Sequence, residues 1–179
     1  ILGFLISHIN TGIVILGFLS LVYFIDSIFS FYTLTKNLKL QNEIKVSSLE
    51  IKNIKEEDLP IYSILCPLYK EANVLAQFVR AIDSIDWPKD KLDVLFLLEE
   101  DDRQTIEAVT LVSLPRYIRV LVVPNSFPKT KPKACNFGLS FAKGEYVVIY
   151  DAEDKPDPLQ LKKAYLGFKK VSPKVVCLQ

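Results

Sequence analysis

The sequence predicts an α/β domain, built on a mostly parallel sheet with helices on both faces and preceded by a transmembrane helix. Three observations support this fold class. Apolar β-branched runs alternate with helical patterns from Ile61 onward, as in a chain of β-α-β units. The central runs are almost continuously apolar, which a strand covered on both faces requires. Polar residues follow the ends of the predicted strands, where α/β proteins bind ligands.

The first part of the chain has the composition of a membrane segment. Gly12 to Leu34 is apolar over about 23 residues, enough at ~1.5 Å per residue to cross a ~30 Å hydrocarbon core. A buried core helix is the alternative, but the length and the lack of a polar face disfavour it. Within the first 35 residues the one charged side chain is Asp26, which we expect to snorkel toward the cytoplasmic end.

Lysines after the apolar segment predict its orientation. Lys36 and Lys39 follow it closely, so the positive-inside rule places the downstream domain in the cytoplasm, at the inner cell membrane and in contact with membrane lipid. The polar run Ser7 to Thr11 predicts a break in the apolar segment. We therefore expect Ile1 to Ile6 to be the tail of an earlier membrane helix and the chain to be a fragment.

The chain divides by composition into a transmembrane segment (1–35), a cytoplasmic connector (36–60) and an α/β domain (61–179) that we expect to be incomplete at its C-terminus. The connector is mixed in polarity and predicts one amphipathic interfacial helix or an early strand. The predicted strands of the domain are Ile61–Cys66, Leu92–Leu98, Ile118–Val123, Glu145–Tyr150 and Val175–Leu178. The predicted helices are Glu71–Ile85, Asp102–Leu114, Pro132–Lys143 and Asp157–Lys170, with Gly144 just past the end of the third.

Composition and motifs exclude several functions. The net charge of +1 gives no bulk attraction for nucleic acid. The three cysteines have no zinc spacing, which predicts reduced thiols, and the single histidine, His8, cannot form a histidine-based triad or a multi-histidine metal site. No P-loop, GxGxxG or GxSxG motif is present, which argues against P-loop, classical dinucleotide-binding and serine-hydrolase sites.

The most informative stretch is the acidic end of the fourth predicted strand. Asp151 and Glu153 are separated by one residue, so an extended backbone puts their carboxylates on the same side. Two carboxylates at a strand end predict a hard-cation site, typically Mg²⁺ or Mn²⁺ carrying substrate phosphates. The alternative is a solvated acidic turn before a helix, since Asp157 followed by Pro158 resembles a helix N-cap.

Polar residues at the other strand ends favour the metal interpretation over the acidic turn. The first strand is followed by Pro67, Tyr69, Lys70 and Glu71, the second by Glu99, Glu100, Asp101 and Asp102, and the third by Asn125, Lys129, Lys131 and Lys133. The acids of the second group could instead cap the next helix. Taken together, the four strand ends predict a site for an anionic ligand held partly through a metal.

Four ordered motifs resemble the GT-A domain of family 2 glycosyltransferases, more narrowly the membrane-bound cellulose-synthase-like branch. They are Pro67-Leu68-Tyr69-Lys70-Glu71, Glu99-Glu100, Lys133-Ala134-Cys135-Asn136-Phe137-Gly138-Leu139 and Asp151-Ala152-Glu153-Asp154. The resemblance covers Ile61 to Gln179. It implies transfer of a sugar, with inversion, from a UDP- or GDP-sugar donor to a glycan acceptor in the presence of Mg²⁺ or Mn²⁺.

The resemblance also implies residue roles. Pro67, Tyr69 and Glu71 would line the nucleoside pocket, Glu100 would hold the base or ribose, Lys133 would approach the diphosphate, and Asp151 with Glu153 would hold the metal. The family usually has Asp-Asp at Glu99-Glu100 and Asp-x-Asp at Asp151-Ala152-Glu153. Glutamate is longer by one methylene but remains a hard oxygen ligand. The catalytic base and the acceptor-side motif are expected beyond Gln179.

Two other functions remain open from the sequence. A non-catalytic relative could use the same fold as a receptor or binding module, with Glu100 and Glu153 as signs of drift. A nucleotidyltransferase also uses strand-end carboxylates and a metal, but it needs a glycine- and arginine-rich loop after the first strand, which Pro67 to Glu71 does not provide.

Overall fold

The structure is a computed structural model that describes residues 2–39 and 43–178, including the side chains of all of these except residues 2–9 and 37–39. Ile1, residues 40–42 of the connector and Gln179 lie outside the described residues. The chain forms two compact units, Ile1–Ile44 and Lys45–Gln179. The second unit includes the later part of the predicted connector.

The first unit is a single helix, α1 (Leu2–Lys39). Residues Ser7 to Thr11 are helical, so the predicted break was wrong. A helix forms its backbone hydrogen bonds within itself, and a helix that has already formed can therefore continue through a short polar run. Asn10–Lys36 is the one stretch in the described chain that is long and apolar enough to cross a membrane, with a hydropathy of 2.2. This finding rests on length and composition.

The second unit alternates strands with helices as the sequence predicts. Its elements are α2 (Ser48–Lys52), β1 (Tyr62–Leu68), α3 (Leu75–Asp83), β2 (Leu92–Glu99), α4 (Arg103–Leu111), β3 (Ile118–Val123), α5 (Lys131–Leu139), β4 (Tyr146–Ile149) and α6 (Gln160–Lys170). Helix α2 is stabilised by a capping box between Ser47 and Glu50. Lys170 of α6 forms a 2.7 Å ion pair with Glu50, which joins part of the predicted connector to the domain.

The four strands form one parallel sheet in the order β3-β2-β1-β4. Tyr62 at the start of β1 lies opposite Leu92 of β2 on one side and Tyr146 of β4 on the other. Strands β2 and β3 are added on one side of β1, whereas β4 is added on the other. Strands β1 and β4 therefore meet at a switch point, and open α/β sheets bind ligands beyond the carboxyl ends of such strands.

Both faces of the sheet are packed. On one face, β1 and β2 contribute alternate residues to a core with α3, α4 and α6, and the rings of Phe78 and Phe96 stack with centroids 5.8 Å apart. On the other face, Leu95 and Leu97 pack with Ala134 and Cys135 of α5. Helix α5 lies so close to β2 at Gly138 that a Cβ on this residue would come within 2.6 Å of the Leu97 side chain. The close approach therefore requires glycine at this position.

Two local predictions were wrong. The predicted strand Val175–Leu178 is not a strand: Val175 donates to Ser172 in a turn, and Val176 is 88% exposed. A β-branched run favours a strand, but a strand also needs a hydrogen-bonding neighbour. Gly144 does not follow the helix end, because α5 stops at Leu139. Its N–H donates to Ser63 Oγ over 2.8 Å, and a Cβ there would lie 2.4 Å from the Ser63 nitrogen.

The N-terminus of α6 also differs from the prediction. The helix begins at Gln160, three residues after the predicted Asp157 cap. Asp157 instead closes a turn just before the helix, where its Oδ1 accepts from the N–H of Leu159 over 2.7 Å. The predicted cap was therefore wrong: the N-cap residue of α6 is Leu159, and no side chain caps the helix.

Candidate functional site at the carboxyl ends of the strands

A pocket of about 160 Å³ lies beyond the carboxyl ends of β1 and β2. Its walls come from the loop after β1, the end of β2 and the start of α5. The lining residues are Pro67, Leu68, Tyr69, Glu71, Leu97, Glu99, Lys129, Thr130, Lys131 and Ala134. Three of the predicted site residues, Pro67, Tyr69 and Glu71, are therefore brought together in one pocket that has an apolar floor and a charged rim.

The loop after β1 is held in place by two buried side chains of the α4 region. Lys70 has a left-handed backbone (φ 59°), and its N–H donates to Asp102 Oδ2 over 2.5 Å. The N–H of Glu71 donates to Thr105 Oγ1 over 3.2 Å. A left-handed conformation costs a non-glycine residue about 1–2 kcal/mol. The two hydrogen bonds offset this strain and fix the backbone between Tyr69 and Glu71.

Asp102 has a second structural task. Its Oδ1 accepts from the N–H of Thr105 over 3.2 Å, so it caps the N-terminus of α4. Burial acts to raise the pKa of Asp102, but the hydrogen bonds from Thr105 and Lys70 outweigh it and lower that pKa on balance. A helix cap was one of the roles that the sequence left open for the acids after β2, and the structure confirms it for Asp102. The sequence did not identify Thr105, because a threonine inside a helical pattern gives no signal of a distant partner.

Glu71 lies in the electric field of the acidic turn after β4. Its Oε2 accepts from the N–H of Tyr69 over 3.3 Å. Partial burial raises the pKa of Glu71; the nearby charges of Asp151 and Glu153 add to this rise, while Lys131 opposes it. The loop after β1 and the turn after β4 therefore interact electrostatically, as expected for neighbours across a switch point.

Three lysines at alternate positions around the start of α5 each pair with one carboxylate from a strand end. The pairs are Lys129 with Asp101, Lys131 with Asp151 and Lys133 with Glu99. The hydrogen bond to Asp151 raises the pKa of Lys131, and the hydrogen bond from Lys129 lowers the pKa of Asp101. The lysines that follow β3 thus neutralise acids that follow β2 and β4.

The innermost of these pairs is fully engaged. Lys133 Nζ lies 2.7 Å from Glu99 Oε2 and also donates to the carbonyls of Pro124 and Ser126 at 3.3 and 3.2 Å. The two side chains are 18% and 7% exposed. Lys133, which the resemblance assigns to the diphosphate, is therefore not among the residues that line the pocket, and its ammonium already has three acceptors.

Glu100 also lies away from the pocket. It is exposed, and its Oε2 accepts from the N–H of Asn125 over 2.9 Å. This bond ties the end of β2 to the loop after β3. The structure therefore gives Glu100 a loop-bracing contact, and its assignment to the base or ribose stays a prediction.

The acidic turn after β4 is compact and open to solvent. The N–H of Asp151 donates to Asp154 Oδ2 over 2.7 Å, and the N–H of Asp154 donates back to the Asp151 carbonyl over 2.9 Å. The Asp151 side chain is 38% exposed and lies 2.9 Å from Lys131 Nζ. Glu153 is exposed.

The donor set fits a metal shared with a substrate better than a metal held by protein alone. Within residues 2–39 and 43–178, no group of three His, Cys, Asp or Glu side chains is arranged to hold a metal ion. Mg²⁺ in nucleotide enzymes is usually bound by one or two carboxylates together with phosphate oxygens and water. Asp151, with an accessible carboxylate at the edge of the site, has the chemistry for such a ligand, and Glu153 is a candidate second one.

The site lies beyond the carboxyl ends of a parallel α/β sheet. A sequence profile described as glycosyl transferase family 2 matches residues 63–179, more than half of the chain, and the chain belongs to that family. The prediction of the family from the four motifs is thereby confirmed.

Individual relatives agree with this assignment. The chain is 28% identical over 118 residues to the probable glycosyltransferase YdaM of Bacillus subtilis and 31% identical over 123 residues to cellulose synthase 2 of Novacetimonas hansenii. These matches cover 65% and 68% of this chain but only 28% and 7% of the relatives. The chain therefore spans less than a third of either relative.

A solved structure confirms the fold. The mannosyltransferase PcManGT from Pyrobaculum calidifontis, in complex with GDP-Man and Mn²⁺, superposes with a TM-score of 0.59 over 83% of this chain and 41% of its own. At 23% sequence identity this likeness shows the shared fold alone. The predicted α/β architecture with a parallel sheet is therefore confirmed.

Proposed function

We propose that this chain is the donor-binding part of a membrane-bound glycosyltransferase. It binds a UDP- or GDP-sugar with Mg²⁺ or Mn²⁺, and the enzyme transfers the sugar with inversion to a growing glycan. The observation that carries the proposal is the pocket beyond β1 and β2, together with Asp151 and the exposed Glu153 in the turn after the neighbouring strand β4. Helix α1 anchors the enzyme in the inner membrane, with the second unit on the cytoplasmic side.

The pocket has distinct regions for the parts of a nucleotide sugar. Pro67 and Tyr69, with the apolar floor at Leu97, suit the flat nucleoside. The N-terminus of α5 reaches the rim at Thr130 and Lys131, and a helix N-terminus attracts phosphate through its free N–H groups and its dipole. Donor binding would therefore place the diphosphate toward α5 and the acidic turn.

The metal would be held at Asp151, with Glu153 as the second carboxylate. When bound, the divalent cation neutralises the charge that develops on the diphosphate leaving group. The protein's own contribution is to fix the donor: the loop held by Asp102 and Thr105 positions Tyr69 and Glu71, and the α5 terminus positions the phosphates.

A receptor or binding module with the same fold is the second candidate. It is favoured by the exposed positions of Glu100 and Glu153 and by the lack of a three-carboxylate metal cluster in the described residues. Such a protein would bind a nucleotide sugar without consuming it. Release of UDP or GDP from the nucleotide sugar, measured in membranes of cells that produce the protein, distinguishes the two: release supports the transferase, and intact donor supports the receptor.

Metal-dependent nucleotide binding is the first test of the donor site. UDP and GDP are titrated calorimetrically into the purified chain in detergent, with Mn²⁺ and with EDTA. We expect one nucleotide to bind in Mn²⁺ at least tenfold more tightly than in EDTA. Asp157→Asn, which alters an exposed acid paired with Lys163 before α6, is the control and should bind like the unaltered protein. Equal affinity with and without metal would contradict the proposal.

A further inference from the structure

The Lys131 side chain is the most exposed of the three paired lysines, at 55% compared with 25% for Lys129 and 18% for Lys133. The Lys131 and Asp151 side chains are 55% and 38% exposed, compared with 18% and 7% for Lys133 and Glu99. An exposed ion pair contributes about 0–1 kcal/mol, whereas separating a buried pair leaves a charge in a poorly solvated place. Lys131 can therefore leave Asp151 at little cost.

Lys131 is also the cation best placed to meet a phosphate. It is the first residue of α5 and lines the pocket at the positive end of the helix dipole. Lys133 is held by Glu99 and two carbonyls. Lys129 also lines the pocket, but it is held by Asp101 and its side chain is 25% exposed, compared with 55% for Lys131. Of these three lysines, Lys131 alone has both an accessible ammonium and a weakly held partner.

We propose that Lys131 exchanges partners when the donor binds. In the free protein its ammonium forms an ion pair with the Asp151 carboxylate. When a divalent cation binds that carboxylate, Lys131 moves to the diphosphate of the donor. This inference rests on the proposed function and adds a residue that the family resemblance did not assign. Lys131 then neutralises Asp151 in the free protein and binds phosphate in the donor-bound protein.

Charge balance supports the exchange. Lys131 and Asp151 together carry no net charge in the free protein. The two negative charges of a sugar-nucleotide diphosphate equal the two positive charges of the cation, so the site remains neutral after both enter. Glu71 and Glu153 also attract the Lys131 ammonium, which keeps the released lysine near the pocket.

The exchange predicts effects of opposite sign on two binding constants. Without Lys131, Mn²⁺ no longer competes with an ammonium for Asp151, so Mn²⁺ alone should bind about three- to tenfold more tightly. The diphosphate loses a cationic ligand, so the nucleotide should bind about tenfold more weakly at saturating Mn²⁺. A lysine that only supported the local structure would weaken both.

The test uses Lys131→Met in the full chain, purified in detergent. Mn²⁺ binding without nucleotide is measured by electron paramagnetic resonance of the free ion, and UDP and GDP binding at saturating Mn²⁺ by calorimetry. Lys131→Arg keeps the charge and should restore both constants to within about threefold. Lys163→Met is the matched control. Lys163 and Asp157 form a similarly exposed ion pair with a nitrogen–oxygen distance of 2.7 Å, and neither residue lines the pocket. Both binding constants should stay unchanged in this variant.

Different results would contradict the partner exchange of Lys131 and the proposed donor-binding function. If unaltered protein binds Mn²⁺ and nucleotide but Lys131→Met leaves both constants unchanged, or lowers both affinities, the exchange is wrong and the donor site stands. If unaltered protein binds neither UDP nor GDP with Mn²⁺, the proposed function fails and the exchange fails with it. Opposite shifts in Lys131→Met, absent in Lys163→Met, support the exchange.

Discussion

The acids that follow β2 and those that follow β4 are alike in sequence but differ in the structure. After β2, Glu99 is buried against Lys133, and Asp102 is buried against the loop after β1 and the start of α4. After β4, Asp151 is partly exposed and Glu153 is exposed. Glu99 and Asp102 therefore brace the site, whereas Asp151 and Glu153 remain available to a ligand.

The difference follows from the strand order. Strand β2 lies between β1 and β3, so its carboxyl end is surrounded by the loops of both neighbours. Among the residues that the structure describes, strand β4 is at the edge of the sheet and pairs with β1. Acids at a covered strand end must be compensated by the protein, because an unpaired buried charge is costly. Acids at the open end can be compensated by a ligand.

Removing the lysine from the buried pair should have the largest effect on stability. Lys133→Met leaves Glu99 buried without a cation and should lower the free energy of unfolding by about 3–5 kcal/mol. Urea unfolding of the chain in detergent, followed by near-ultraviolet circular dichroism, measures this. The double variant Lys133→Met with Glu99→Gln should regain most of the loss. A loss below about 1 kcal/mol in the single variant would remove the contrast between the two strand ends.

The next effect concerns the brace formed by Asp102. Asp102→Ala removes the α4 cap and the acceptor for the Lys70 N–H, and should lower the free energy of unfolding by about 1–2 kcal/mol. Because Tyr69 and Glu71 lose their fixed backbone, nucleotide affinity in Mn²⁺ should also fall. The matched variant Asp101→Asn alters an adjacent acid without touching the cap and should leave nucleotide affinity unchanged. Equal nucleotide affinity in Asp102→Ala would show that the loop does not need the brace.

The pH dependence of stability sharpens the role of Asp102. Its pKa is lowered in the folded protein from an ordinary value of 3.8, so its carboxylate stabilises the fold above that pH. The stabilisation is lost as the pH falls through the lowered pKa. The stability difference between the unaltered protein and Asp102→Asn should therefore be constant from pH 7 to 5 and shrink below about pH 4. A difference that grows on acidification would contradict this sign.

The smallest effect on stability is expected at the open strand end. Asp151→Asn separates an exposed ion pair and should change the free energy of unfolding by less than about 1 kcal/mol. Urea unfolding of the variant beside Lys133→Met checks this. A loss as large as that of Lys133→Met would show that Asp151 is a structural acid like Glu99.

Much of the domain fold could be predicted because hydrophobic periodicity marks its elements. Leu75, Phe78 and Ile82 recur at helical spacing within the predicted helix Glu71–Ile85 and are buried in α3, and four strands occur where apolar runs lie. The run Val175–Leu178 was wrongly predicted as a strand, because β propensity carries no information about whether a neighbouring strand is present. Gly144 misled because its requirement is set by Ser63, which is distant in sequence.

The candidate site was predictable in composition but not in pairing. Pro67, Tyr69 and Glu71 share the pocket as expected from the rule that parallel strands end at one edge. The sequence could not show that Lys133 is held by Glu99 or that Lys131 reaches Asp151, because these contacts depend on strand order. The alternating lysines before and within α5 were the available signal.

In the proposed donor site, Asp151 after β4 holds the metal, whereas Glu99 and Asp102 after β2 support the fold. Asp151 and Asp101 are a matched pair for testing it, with side chains 38% and 34% exposed and each bound to one lysine. The measurement is electron paramagnetic resonance of Mn²⁺ bound to the chain in the presence of UDP or GDP. We expect Asp151→Asn to lose the bound signal and Asp101→Asn to retain it. Retention in Asp151→Asn, or equal loss in both variants, would contradict the account.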